Sequence, residues 1–340
     1  MMQIRSEWIP RELYQESLVE FGEGIASIYH RLPWLDALKK AFGADICFVR
    51  CLDHHGKIFA LTPFMSKRKG PFRLIGTPLS GMYTEFAGPL FHADAEPKMI
   101  AAAMASIHGL LIKEGHYIEW GSRGSQNWGD ELFSLGYDFV RRDTLLVDLA
   151  KGEDAVWASF EGRARNMTRK AEKAGVVVSS LLPDEKWIAD YYGMLIGTFA
   201  RQNLKVPHPL SFYRQMISLS KEGVAHCVKA TVNGEMIAGG IFLIDGSRML
   251  YLSGAANELG MRSAATSVLQ WHAIKEAIRL GVTEYDMGGL GVPSIDKFKR
   301  SFGGYEFSHS RWVHRSRLFS IVEPMALWAV SKGWLRLGGV

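Results

Sequence analysis

Nowhere in the chain do eighteen apolar residues follow one another, so no segment reads as a membrane-spanning helix. The opening stretch, Met1 to Arg11, mixes charged and polar groups and lacks the apolar centre of a secretion signal. Cysteine is scarce: Cys47, Cys51 and Cys227 form an odd, sparse set that makes no disulfide framework. Cys47 and Cys51 stand four apart in an apolar run and would share one face of a strand as a buried thiol pair. No Cys or His cluster completes a tetrahedral set, so no metal is expected. His54-His55 falls in a turn and reads as solvated. These absences point to a cytoplasmic protein. Excess charge is also small, with 40 Lys and Arg against 35 Asp and Glu, a formal +5 and a sequence pI near 9.0. That balance is modest for a nucleic-acid binder and no RNA-binding motif is present, so DNA is not an expected partner.

What the chain has is a repeat. Gly115-His116-Tyr117-Ile118-Glu119-Trp120-Gly121 matches Gly281-Val282-Thr283-Glu284-Tyr285-Asp286-Met287, and Ser134 before Leu135-Gly136 matches Ser301 before Phe302-Gly303. Upstream, Leu52 to Ala60 parallels Thr231 to Gly239, each a hairpin turned at a glycine. The shared order is hairpin, helix, strand, helix, strand, as expected of two copies of one α/β unit. Length agrees, since 340 residues correspond to about two domains. With 47% hydrophobic and 22% charged residues, each half can bury its own core. The expected boundaries are 1–155, 156–315 and a C-terminal helical segment, 316–340.

Local patterns place the elements. Trp34, Leu38 and Phe42 recur at helical spacing over 33–42, with Pro33 in the first turn. A helix is expected over 96–114 and its counterpart over 264–280, where Val268, Trp271, Ile274 and Ile278 make a core-facing stripe ended by Gly281. Strands over 225–232, 236–244 and 248–254 are joined by Asn233-Gly234 and Asp245-Gly246, both strong hairpin dipeptides.

Strand, hairpin, strand and helix, then Tyr285-Asp286 with a double glycine and Phe298-Lys299 before Phe302-Gly303, resemble the second domain of the FemAB-like acyltransferases. These are a branch of the Gcn5-related N-acetyltransferase (GNAT) superfamily. Arg163 to Gly175 resembles that family's Arg-rich entry into the domain, and the likeness runs from about residue 25 to 310. The resemblance implies an α/β fold of two tandem acetyltransferase-like domains, each a mixed sheet with an antiparallel meander flanked by helices. It further implies transfer of an acyl or aminoacyl group to an amine of a cell-envelope polysaccharide or peptidoglycan precursor. No tightly bound cofactor is implied; the co-substrate is acyl-CoA or aminoacyl-tRNA. A catalytically silent binding protein that kept the fold is a third reading.

Two departures from the family stand out. The span from Lys170 to Tyr213 is too short for the long helical-hairpin arm of the peptidoglycan-bridge enzymes. The stretch Glu258 to Thr266, where acetyl-CoA-dependent relatives carry a Gly-rich phosphate loop, has only Gly260, with Arg262 and Ser263 left as donor-binding candidates at the helix N-terminus. The counterpart in the first domain, near His92-Ala93-Asp94, carries negative charge and is not expected to bind acyl-CoA.

For amine acylation, a donor aimed at the developing oxyanion matters most. Lys299, in the family-like Phe-Lys pair, is the candidate, with the Phe298 carbonyl accepting an amine proton. Asp286 is read as a base, as the group holding a donor in place, or as a cap of the following turn. Acceptor binding is assigned to Tyr83 and Glu85 in the irregular stretch Gly76 to Glu85, to Arg73 and Arg201 as partners for a phosphate or carboxylate, and to Tyr251. Arg165, Arg169 and Lys173 share a helical face, a solvated stripe or a surface for tRNA phosphates. The segment Leu318 to Leu337, with Trp328, Lys332, Trp334 and Arg336, either packs across the two domains or lies on the inner face of a membrane.

Overall fold

Each half of the chain turns its central hairpin on a glycine at positive φ, 81° at Gly56 and 82° at Gly234, a conformation other residues adopt only with strain. The computed structural model describes residues 4–21, 26–124, 128–201 and 203–331; the segment expected at 316–340, including Lys332, Trp334 and Arg336, lies partly outside them.

The chain divides into two units, Met1–Arg142 with Ser308–Val340, and Asp143–Phe307. The first half runs β1 (Arg5–Ile9), α1 (Arg11–Phe21), α2 (Leu32–Phe42), β2 (Asp45–Leu52), β3 (Ile58–Lys69), β4 (Phe72–Thr77), β5 (Leu90–Phe91), α3 (Pro97–Leu111), β6 (Tyr117–Arg123), α4 (Gly129–Ser134) and β7 (Asp138–Asp148). The second runs α5 (Glu153–Ser159), α6 (Gly162–Lys173), β8 (Val177–Leu181), α7 (Glu185–Ala200), α8 (Leu210–Lys221), β9 (Ala225–Val232), β10 (Glu235–Asp245), β11 (Arg248–Ala256), α9 (Glu258–Arg262), α10 (Ala265–Arg279), β12 (Glu284–Gly289), α11 (Pro293–Arg300), β13 (Tyr305–Arg315) and α12 (Arg317–Ser331).

Within the first unit the strand order is β1-β2-β3-β4-β6, and the His309–Arg315 part of β13 pairs antiparallel with β6. Within the second it is β8-β9-β10-β11-β12, and the Thr144–Asp148 part of β7 pairs antiparallel with β12. Among the described residues each unit has one parallel strand pair, β4 with β6 and β11 with β12, bridged by a crossover helix, α3 or α10. The repeat therefore holds at the level of topology. Its last strands are exchanged: the closing strand of each half completes the sheet of the other unit. For this reason the division falls at residue 142, inside β7, and not in the loop near 155, and the end of β13 returns to the first unit at Ser308 rather than at 316.

The structure also moves one sequence match by a residue. In the first unit Ile118 and Trp120 face the helical core with Ala103, Met104, Ile107 and Leu111 of α3. In the second, Tyr285 and Met287 face the core with Leu269, Trp271 and Ile274 of α10. Strand alternation then pairs Glu119 with Asp286, not with Tyr285. The helix ends agree: Leu135 N–H donates to the Leu132 carbonyl at 3.2 Å and Gly136 N–H to Phe133 at 3.1 Å, while Phe302 donates to Lys299 at 3.1 Å and Gly303 to Arg300 at 3.0 Å. Lys299 thus occupies the place of Leu132.

Cys51 is buried in the first unit's core, where burial pushes its thiol up to about 12, whereas Cys47, expected to be buried beside it, packs against that core only partly buried. His54 and His55 are exposed in their turn.

Candidate active site in the second unit

The parallel ladder between β11 and β12 is short, pairing Arg248 with Glu284, Met249 with Tyr285 and Leu250 with Asp286. Beyond Asp286 the strands follow different neighbours: β11 stays with β10 to Ala256, whereas Gly289 of β12 pairs with Thr144 of β7. A one-residue irregularity between Ile241 and Phe242 adds to the bend of this part of the sheet. Asp286 stands at the fork.

Its side chain is fully buried and accepts three hydrogen bonds: from Arg248 Nη1 at 3.1 Å, from Gly288 N–H at 2.8 Å and from Thr144 Oγ1. Arg248 is itself buried and lies 3.6 Å from Asp245. A carboxylate so placed fixes a turn and neutralises a buried guanidinium. It also caps the turn at Gly288. Sequence reasoning missed Arg248 and Thr144, because their partner is distant in sequence and nothing local marks the pair.

Lys299, on α11, is no solvated helix lysine, being only 7% exposed, and its Nζ donates to the Gly289 carbonyl at 2.6 Å. A Cβ added at Gly288 would lie 3.1 Å from the Tyr251 carbonyl oxygen and 3.6 Å from Lys299 Nζ. The ammonium therefore sits where β11 and β12 face each other past the end of their ladder. The Phe298 carbonyl, in contrast, accepts from Ser301 N–H at 3.2 Å and Ser301 Oγ at 2.6 Å. The first unit repeats this contact, Ser134 Oγ donating to the Glu131 carbonyl at 2.8 Å, so the arrangement belongs to the helix end common to both units. Tyr251 packs its ring 5.4 Å from Phe242, and Tyr285, wholly buried, donates to Gln270 Oε1. Burial raises the Tyr285 hydroxyl far above its ordinary range.

The loop expected to meet the donor has a defined shape. Asn257 Oδ1 caps Gly260 N–H at 2.9 Å, and Ser263 Oγ turns inward to Leu259 O at 2.8 Å. A Cβ on Gly260 would collide with the Ile237 carbonyl, so the loop's one glycine serves packing on β10 rather than close approach to a phosphate. Ala264 takes the left-handed conformation, φ 58°, and α10 begins there with no side-chain cap. Arg262 is exposed, 3.9 Å from Glu258. Arg201, expected at the acceptor, lies instead against this loop, with Nη2 3.4 Å from Met261 Sδ. In the first unit, the corresponding helix start carries Glu96 and Pro97, after a His92–Asp94 pair.

The acceptor candidates of the first unit spread over two places. Arg73 bonds Ser66 Oγ at 2.9 Å and pairs with Glu114, lining a cavity of about 360 Å³ with Cys47, Trp8 and Phe48. A carboxylate of the protein itself thus already engages it. The Gly76 to Glu85 stretch leaves β4 and is pinned: Ser80 N–H and Oγ both donate to Glu119 at 2.8 Å, and Trp34 Nε1 donates to Thr84 Oγ1 at 3.0 Å. Tyr83 within it has φ of 49°, rare for a bulky residue and of the kind that gathers at functional sites. Glu85 stands 3.9 Å from His309 Nε2. Glu119 is the first unit's buried carboxylate, held by Arg311 Nη1 at 2.5 Å, and neither partner was anticipated.

Comparison with known proteins bears on the fold. Residues 158–300 match the family model of the acetyltransferase (GNAT) domain. No curated protein sequence matches. The fold is similar to the crystal structure of FemX, at 15% identity and a TM-score of 0.72, covering 94% of this chain and 100% of that one. It is similar also to a tandem GNAT protein from the clavulanic acid biosynthesis pathway, at 10% identity and a TM-score of 0.58, covering 93% and 98%. The C-terminal domain of a putative lysylphosphatidylglycerol synthetase from Agrobacterium fabrum matches at 11% identity and a TM-score of 0.57, covering 97% and 99%. Residues 158–300 are a GNAT acetyltransferase domain in a chain with the tandem GNAT fold, and the enzyme class is acyltransferase.

Proposed function

We propose that the second unit transfers an acyl or aminoacyl group to an amine of a cell-envelope polysaccharide or peptidoglycan precursor. The single observation that carries the reading is the buried Lys299 ammonium at the fork of β11 and β12, held against Gly289 O at 2.6 Å. In the reaction the amine nitrogen bonds to the acyl carbon, the carbonyl oxygen gains negative charge, one amine proton leaves, and the bond to the donor breaks. Lys299 faces the oxygen that gains charge, in surroundings where a fixed donor contributes roughly 3 kcal/mol. Asp286 and Arg248 act as positioning residues that hold the Gly288 turn beneath it. The FemX-like fold supports envelope chemistry.

The bond that breaks is the one from the acyl carbon to sulfur if the donor is acyl-CoA, or to a ribose oxygen if it is charged tRNA, and the amine proton ends on that departing atom. The shape of the Asn257 to Ala264 loop favours the second, because Gly260 is committed to packing against Ile237. Arg262, Arg201 and the uncapped start of α10 remain to meet a phosphate of either donor. The deciding experiment offers acyl-CoA and aminoacyl-tRNA separately to the full chain with amine acceptors, and titrates both donors against wild type and Arg262→Glu. Transfer from one donor, with binding at least about tenfold weaker in the charge-reversed variant, supports the site. Tight donor binding indifferent to Arg262→Glu would place the donor elsewhere, and transfer from neither would leave the fold without this chemistry.

A further inference from the structure

The helix α12 exposes an apolar stripe. Leu318, Ile321, Met325 and Trp328 follow one another at steps of three and four, and they are 59%, 63%, 65% and 51% exposed, with Leu327 beside them at 55%. The opposite side seats the helix on the first unit: Phe319 is buried against Phe72 and Tyr117, and Glu323 accepts from Arg315 Nε at 2.6 Å. The helix is thus anchored through Phe319 and Glu323 while Leu318, Ile321 and Met325 stay exposed. Such a concentration of exposed apolar side chains on one short helix marks a surface that is covered in use.

We propose that this stripe docks on an anionic lipid surface. Charge selects that occupant. From Arg317 onward the chain carries Arg317, Lys332 and Arg336 against one acid, Glu323, whose charge Arg315 already meets. In the sequence Arg317 precedes the apolar stripe and Lys332, Trp334 and Arg336 follow it, a composition that suits the boundary between lipid headgroups and acyl chains. A second copy of the chain fits less well. The stripe covers only about two heptads, short of the three or four a coiled coil needs, and Pro324 interrupts it. Nothing in α12 crosses a membrane: no helix among the described residues is long and apolar enough to do so. The docking is independent of the transfer reaction proposed above.

The test is flotation of the full chain with phosphatidylglycerol vesicles and with phosphatidylcholine vesicles, for wild type, Ile321→Ser/Met325→Ser and Arg317→Glu. All three side chains are exposed, so thermal melting should be unchanged in the variants. Wild type should float with the anionic vesicles and weakly with the neutral ones, and added salt should reduce the binding. The double variant should bind at least about tenfold more weakly, as loss of two buried apolar side chains requires, and Arg317→Glu a few-fold more weakly. Absence of wild-type flotation, or unchanged flotation of the folded double variant, would overturn the proposal. So would a concentration-dependent dimer that the double variant abolishes, which would give the stripe to a second copy.

Discussion

The helix that follows β6 and the helix that follows β12 end in the same hydrogen-bond pattern, but one delivers Leu132 into the first unit's core and the other delivers Lys299 to the Gly289 carbonyl. Nearby, both units keep a buried carboxylate on the strand, Glu119 or Asp286, each bonded to an arginine. The scaffold was thus retained in both copies, while the cation that could stabilise an oxyanion stands in one. The start of the crossover helix differs in the same sense. The second unit offers Arg262 before an uncapped α10, and the first offers Glu96 and Asp94, which repel a phosphate. The buried carboxylate is therefore common to both units, and the buried lysine at the helix end belongs to the second.

If the two carboxylates are equivalent supports, removing either arginine should destabilise its own unit. Arg248→Met strands a fully buried Asp286 and is expected to cost about 3–5 kcal/mol in urea unfolding. Arg311→Met should cost less, because Ser80 still provides two hydrogen bonds to Glu119 and the Arg311 side chain is 14% exposed. Equal and small losses would mean that neither carboxylate supports its sheet.

A pH series separates the units on smaller energies. Burial lowers His208 to about 4 and also lowers His226 and His272 in the second unit, as it does His108 and His314 in the first. A histidine whose folded value lies below its unfolded 6.5 contributes stability above pH 6.5, and that contribution is lost as pH falls toward the folded value. For His208 the loss should reach about 2 kcal/mol between pH 6.5 and about 4, with solvent screening of its part-exposed ring included. His208→Gln should flatten part of that slope, and an unchanged slope would show that other groups set it. Smallest is the hairpin pair: Gly56→Ala and Gly234→Ala should each cost about 1 kcal/mol, since both turns hold φ near 80° in open space. A cost at only one of them would weaken the equivalence of the units.

The repeat, the helices over 33–42 and 264–280 and the three strands of the second meander were legible because spacing and turn glycines are local signals. The exchange of closing strands was not, since β7 and β13 would read alike whichever β6 or β12 they joined. For the same reason Glu119 was matched one residue out of place, until strand alternation against α3 and α10 fixed its face. Lys299 and Asp286 were visible through the resemblance. Arg248, Thr144 and Arg311 were not, because a buried ion pair across strands leaves no mark in either local sequence. Arg201 was read as an acceptor group and stands beside Met261, a placement set by the end of α7 rather than by any motif.

The central claim is that acyl transfer depends on the lysine that distinguishes the units. Lys299→Leu gives the second unit the residue that the first has at Leu132, and the informative measurement is its turnover in the donor-to-amine assay, with folding checked by circular dichroism. Turnover should fall roughly 100-fold or more, by the magnitude of a lost oxyanion donor, while the protein stays folded and donor binding stays within a few-fold. Near-normal turnover in the folded variant would contradict the claim and remove Lys299 from the chemistry.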